Sequence, residues 1–157
     1  MTGTDSDQLL FHRSSGLREL DLSYSGLHIN IESDPWIPPF QLETLNFSSC
    51  NIGSPIPGWI STQFALETLN LSNANLVEEL PSWLWEFSSK LKRLNLSNNH
   101  LEGPLTVSVA SHQIQLQVLD LSVNELNGPL LLDIHIPKFP LKFEVLLPVD
   151  NKLKDQY

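Results

Sequence analysis

Cysteine, positive charge and long apolar runs are all scarce in this sequence, and each shortage removes a class of protein. The one cysteine, Cys50, cannot close an intramolecular disulfide and excludes a cysteine-based zinc site. Nine Lys and Arg stand against 18 Asp and Glu, a formal charge of −9. A nucleic-acid or anionic-membrane surface needs clustered cations, and the only run that leans basic, Lys90 to Arg93, is too short to provide one. No stretch approaches the roughly 18 consecutive apolar residues of a membrane span. The opening MTGTDSDQLLFHRSS lacks the basic region and apolar core of a secretory leader. Walker loop, zincin motif, nucleophile elbow and kinase loop are missing too. The histidines at 12, 28, 100, 112 and 135 share no metal-ligand spacing, and His100 falls in an exposed turn. No enzymatic activity and no cofactor is expected.

What is present is order. The chain has 157 residues, 41% of them hydrophobic and only 17% charged, enough for one domain with a real core. Aligned on itself, it repeats. Leu17-Arg-Glu-Leu20-Asp-Leu22 returns as Leu42-Glu-Thr-Leu45-Asn-Phe47, Leu66-Glu-Thr-Leu69-Asn-Leu71, Leu91-Lys-Arg-Leu94-Asn-Leu96 and Leu116-Gln-Val-Leu119-Asp-Leu121. The offsets are 25, 24, 25 and 25 residues. Five repeats therefore fill 17–132, preceded by a partial copy in 1–16 and followed by a degenerate sixth copy or tail in 133–157. The sixth copy is placed on Phe143, Leu146, Pro148, Asn151 and Leu153.

The last two leucines of each copy lie two apart, the period of a strand with one buried face. So short a strand cannot bury its leucines alone. Copies stacked about 4.8 Å apart form a parallel sheet over a continuous core. Three residues beyond the last leucine come Ser25, Cys50, Ala74, Asn99 and Asn124, a column where an amide can bond backbone groups as the chain leaves the strand. Cys50 is expected there as a small buried polar group. Ala74 leaves a gap, so Ala74→Asn is expected to raise the melting temperature. The Pro-rich segments after each turn suit tight connectors and not long helices. Trp59 and Trp83, with Trp36 near the same column, are expected to pack the outer flank.

LNLSNNHLEGPL at 94–105, LDLSVNELNGPL at 119–130 and LNLSNANLVEELPSWL at 69–84 resemble the plant-type leucine-rich repeat, LxxLxLSxNxLxGxIPxxLxxL, of cell-surface receptor-like proteins and receptor-like kinases. The resemblance implies an α/β solenoid: a leucine-rich repeat horseshoe segment with a short parallel β-sheet on its concave face and irregular or 3-10 turns on its convex face. It further implies a glycosylated ectodomain on the extracellular side of the plasma membrane. Such an ectodomain binds a peptide or protein ligand in defence or development, with a co-receptor kinase as a possible second partner. The family's cysteine-bearing cap, leader, membrane helix and kinase do not appear, so the chain reads as a fragment of a larger receptor. The alternatives are a secreted repeat protein resembling the polygalacturonase inhibitors, and a truncated copy without function.

Outward strand positions form three columns: Glu19, Thr44, Thr68, Arg93, Val118; Asp21, Asn46, Asn70, Asn95, Asp120; and Ser23, Ser48, Ser72, Ser97, Ser122. The last two are nearly uniform, which favours a repeat-wide hydrogen-bonding role. Arg18, Tyr24, Glu43, Glu67, Lys92 and Arg93 vary and are the candidate ligand contacts. Arg18 with Glu43, and Glu67 with Lys92, are expected as cross-strand pairs. Asn46, Asn70 and Asn95 each open an Asn-x-Ser sequon and are candidate glycosylation sites, although the repeat template itself generates the motif.

Overall fold

The structure, a computed structural model, describes residues 14–28, 36–107, 115–129, 131–132, 144–146 and 152–154. Its centre is a six-stranded parallel sheet whose strands follow one another in chain order. The strands are Glu19–Asp21 (β1), Thr44–Asn46 (β2), Thr68–Asn70 (β3), Arg93–Asn95 (β4), Val118–Asp120 (β6) and Glu144–Leu146 (β9). Neighbours along the sheet are neighbours in the repeat, as a solenoid requires. The middle leucines align across it: Leu20 beside Leu45, then Leu69, Leu94 and Leu119. Two smaller parallel pairs lie outside this sheet: Thr106–Val107 (β5) with Leu131–Leu132 (β8), and Asn127–Pro129 (β7) with Lys152–Lys154 (β10).

The three-residue strands work because their inward side chains meet the next copy's. Leu45, Leu69, Leu71, Leu96, Leu119 and Leu121 are fully buried. Each such side chain contributes about 1.5–3 kcal/mol relative to exposure. The expected α/β horseshoe segment is what forms, with strands on one side and tight turns on the other. Proline opens both of those turns. Pro57 precedes the 3-10 turn Gly58–Thr62, and Pro81 precedes Ser82–Trp85. Each turn drives a hydrophobic pair into the core, Trp59 with Ile60 and Leu84 with Trp85.

The tryptophans pack edge to face on this flank. Trp59 lies 5.7 Å from Trp36, and 6.4 Å from each of Phe40 and Phe47, between ring centres. Trp83 meets Phe87 at 5.6 Å. Trp83 is half-buried while Trp85 is buried, so inward packing at this turn falls chiefly to the residue two places on.

The sixth copy sits one residue away from its expected register. Val145, not Leu146, lies opposite Leu119, and Leu146 lies opposite Asp120. The spacing at this step is 26 residues, and a one-residue slip exchanges the two faces of a strand. Leu153 belongs to β10 and pairs with Gly128, while Phe143, Pro148 and Asn151 lie outside the described residues.

Candidate functional site on the concave sheet face

The face opposite the leucines is polar, and its middle column is tied down residue by residue. A side-chain oxygen of Asp21, Asn46, Asn70, Asn95 and Asp120 accepts the backbone N–H of the serine two places on, at 2.8–3.1 Å. That explains why Asp and Asn interchange here: only an acceptor is needed, and both supply one. The Asn46 amide also donates to Asp21 across the strands at 3.0 Å. Hydrogen bonds from Ser23 and Asn46 hold the Asp21 carboxyl below its usual range. The candidate glycosylation residues Asn46, Asn70 and Asn95 are thus half-buried and engaged through Oδ1.

The serine column is not on the open face. Ser48 and Ser97 are buried and Ser23, Ser72 and Ser122 half-buried, because each strand ends two residues earlier and the chain has begun to turn. Strand alternation no longer applies beyond that point. The next position adopts left-handed backbone in each of the five copies described there: Tyr24, Ser49, Asn73, Asn98 and Val123 have φ of 52–57°. Tyr24 therefore stands on the rim of the face, 81% exposed, and not in a strand column. Asn98 is exposed at the same place. The sequence signal for this column was the one variable residue between Ser and Asn in LSxN.

The remaining candidate contacts are largely occupied with each other. Arg18 Nη1 lies 3.6 Å from Glu43 Oε1, and Lys92 Nζ lies 2.8 Å from Glu67 Oε2. The hydrogen bond from Lys92 holds the Glu67 carboxyl below its ordinary value. Both pairs are open to solvent, which screens them, so neither contributes much to stability. Arg93 is exposed on β4; its backbone N–H donates to the Glu67 carbonyl, and among the described residues no hydrogen bond or ion pair engages its guanidinium. His100 Nδ1 and Glu125 Oε1 lie 3.0 Å apart in the turn, and His28 Nδ1 lies 3.2 Å from the Asn51 amide. His12, His112 and His135 lie outside the described residues.

Below the face runs the polar spine. Asn99 Oδ1 accepts the N–H groups of Ala74 and Leu76, and Nδ2 donates to the carbonyls of Leu71, Leu96 and Ser97. Asn124 repeats this on Leu101 N–H and on the carbonyls of Leu96, Leu121 and Ser122. Cys50 makes one of these bonds, its thiol donating to the Leu22 carbonyl at 2.9 Å. Ser25 approaches Cys50 Sγ at 3.5 Å and accepts the Leu27 N–H. At Ala74 the backbone stands in, with the Ala74 carbonyl taking the N–H groups of Ile52 and Gly53.

Gln63 and Ser88 form a second buried polar column that the repeat pattern concealed. Gln63 is fully buried and accepts the Leu42 N–H, while Ser88 donates to the Leu66 carbonyl at 2.7 Å. They occupy one repeat position with different chemistry, so no shared letter marked them. Among the described residues no group of three or more His, Cys, Asp or Glu side chains could hold a metal. No described helix is long and apolar enough to cross a membrane.

Comparison with known proteins agrees with this geometry. The Leucine Rich Repeat family matches residues 41–62, 65–87 and 90–111. Receptor-like protein EIX2 of Solanum lycopersicum is 45% identical over 53 residues, 34% of this chain and 5% of that protein. Receptor-like protein EIX1 of the same organism is 38% identical over 63 residues, 40% of this chain and 6% of that protein. The matches therefore span only a small part of the relatives' length. With its repeat-by-repeat strand register and its spine of buried amides, the chain is a leucine-rich repeat segment similar to part of these plant receptor-like proteins.

Proposed function

We propose that this chain is a protein- or peptide-binding module of a cell-surface receptor-like protein, with the concave sheet face as its binding surface. The observation that carries the reading is the contrast between the two faces of one sheet. One is packed with leucine; the other presents polar side chains on strands held in register, several of them exposed. Such a face offers a row of modest contacts on a rigid frame, which keeps the ordering cost of binding low. Tyr24, at its rim, adds an exposed aromatic of the kind enriched in binding hot spots. Relatives named as receptor-like proteins support the cell-surface assignment. Defence or developmental signalling, an extracellular position at the plasma membrane and a co-receptor kinase follow from the same resemblance. Sugar on Asn46, Asn70 or Asn95 belongs to this reading as well, and would share the face with the ligand.

Selection of random displayed nonapeptides against the full chain tests the surface. Peptides enriched on the wild type are expected to lose binding to Thr68→Trp, which fills the middle of the concave face. They should keep it with Ser82→Trp on the exposed convex turn. Binders that ignore the first substitution and lose to the second place recognition on the other side and overturn the proposal.

A further inference from the structure

We infer that the concave face selects an extended peptide carrying a basic and an acidic side chain four residues apart. The inference rests on the concave-face reading above and adds the chemistry of the ligand. It starts from the column Glu19, Thr44, Thr68, Arg93, which runs across β1, β2, β3 and β4 in register. The adjoining column is charge-compensated within itself, because Arg18 pairs with Glu43 and Lys92 with Glu67. In the next column only Asp21 is charged across the same four strands, and its carboxylate is already engaged by Ser23 N–H and the Asn46 amide. The side chains of Glu19 and Arg93 are different: both residues are exposed, and among the described residues neither the carboxylate nor the guanidinium has an ion-pair or hydrogen-bond partner in these columns. Two threonines separate them.

The spacing then sets the ligand. Three strand steps of ~4.8 Å put the two charges about 14 Å apart. An extended chain rises ~3.4 Å per residue and turns alternate side chains to the same side, so residues i and i+4 face the sheet together about 14 Å apart. A basic side chain over Glu19 and an acidic one over Arg93 therefore fit one peptide lying across the strands. Its residue i+2 passes over Thr44 and Thr68, where a small or hydroxylated side chain is accommodated. Exposed charges of this kind contribute more to selection and orientation than to affinity.

The displayed-peptide selection tests this directly. Enriched sequences are expected to carry a base–acid pair at i,i+4. A synthetic peptide with that spacing should bind at least tenfold tighter than versions with the pair at i,i+2 or i,i+6. Glu19→Lys or Arg93→Glu alone should each weaken binding by a similar factor, and the double reversal should restore it with the peptide's charges exchanged end for end. Binders that Thr68→Trp blocks but that lack the i,i+4 pair, or a double reversal that restores nothing, overturn the charge-pair inference and leave the concave surface standing. Binders indifferent to Thr68→Trp, or no enrichment at all, overturn both.

Discussion

Asn99 accepts the backbone N–H of Ala74 at 3.0 Å, reaching from its own repeat into the turn of the one before. The same oxygen takes Leu76 N–H, and the amide nitrogen serves three carbonyls. This one buried side chain satisfies backbone groups of two copies, in a place where water does not reach.

Asn99→Ala is therefore expected to destabilise the chain by about 3 kcal/mol or more, since each buried group left unpaired costs about 1–3 kcal/mol. The converse change is weaker than the repeat pattern suggests. At Ala74 the backbone carbonyl already takes Ile52 and Gly53 N–H, and Cys50 N–H bonds the Phe47 carbonyl. Ala74→Asn should leave the melting temperature nearly unchanged, because the turn it would serve has closed on itself. Thermal unfolding of both variants checks the asymmetry, and a large gain from Ala74→Asn would count against it.

Val123 is the misfit in the left-handed column. Its φ is 54°, where a β-branched side chain is crowded, and its neighbours in the column include Asn73 and Asn98, which tolerate that backbone well. It is also 45% exposed, so little burial is lost on replacement. Val123→Asn should stabilise the chain by about 0.5–1 kcal/mol, read as a rise in the denaturant midpoint. An unchanged or lower midpoint would mean that this turn is not strained.

Gly103 tests strain of a different origin. Its φ is +80°, and an added Cβ would come within 2.7 Å of Glu79 Cγ. Glu79 is exposed and can swing away, so the backbone conformation decides the cost. Gly103→Ala should destabilise by about 1–2 kcal/mol, and adding Glu79→Ala should recover only a small part. Full recovery in the double variant would show that the side-chain clash dominates.

The parts of this fold legible in the sequence are those that repeat. LxxLxL located β1, β2, β3, β4 and β6, because strand period and core burial act alike in every copy. The cross-strand pairs Arg18 with Glu43 and Glu67 with Lys92 follow from that register. The serine column was misplaced because strand alternation was carried two residues past the strand's end. Gln63 and Ser88 escaped notice because one accepts from an N–H and the other donates to a carbonyl, each solving the same desolvation problem without a common residue type. In the sixth copy the leucines thin out, leaving several registers equally plausible by pattern, and pairing with β6 selects one of them. Glu19 and Arg93 stand apart once those pairs, and the hydrogen bonds that engage Asp21, have taken up the other charges.

Glu78 gives a prediction with a defined pH dependence. Its carboxylate accepts Ile56 N–H at 2.7 Å, yet partial burial outweighs that bond and raises its pKa above the ordinary 4.5. The folded state thus holds the proton more tightly than the unfolded chain does. Stability from this group is fully present below pH 4.5 and is lost as pH rises through the folded value. At neutral pH the native chain carries a partly desolvated charge there. Glu78→Gln keeps an oxygen for Ile56 N–H and removes the charge, so it should be more stable than wild type at pH 7, with the difference shrinking toward zero near pH 4. Asp21 and Glu67 have lowered values and act in the opposite sense, losing their contributions as pH falls through them. They are unchanged in the variant, so they cancel from the comparison. Denaturant melts of the two proteins across pH 4–7 isolate Glu78, and a gap that widens toward acid would reverse the assigned sign.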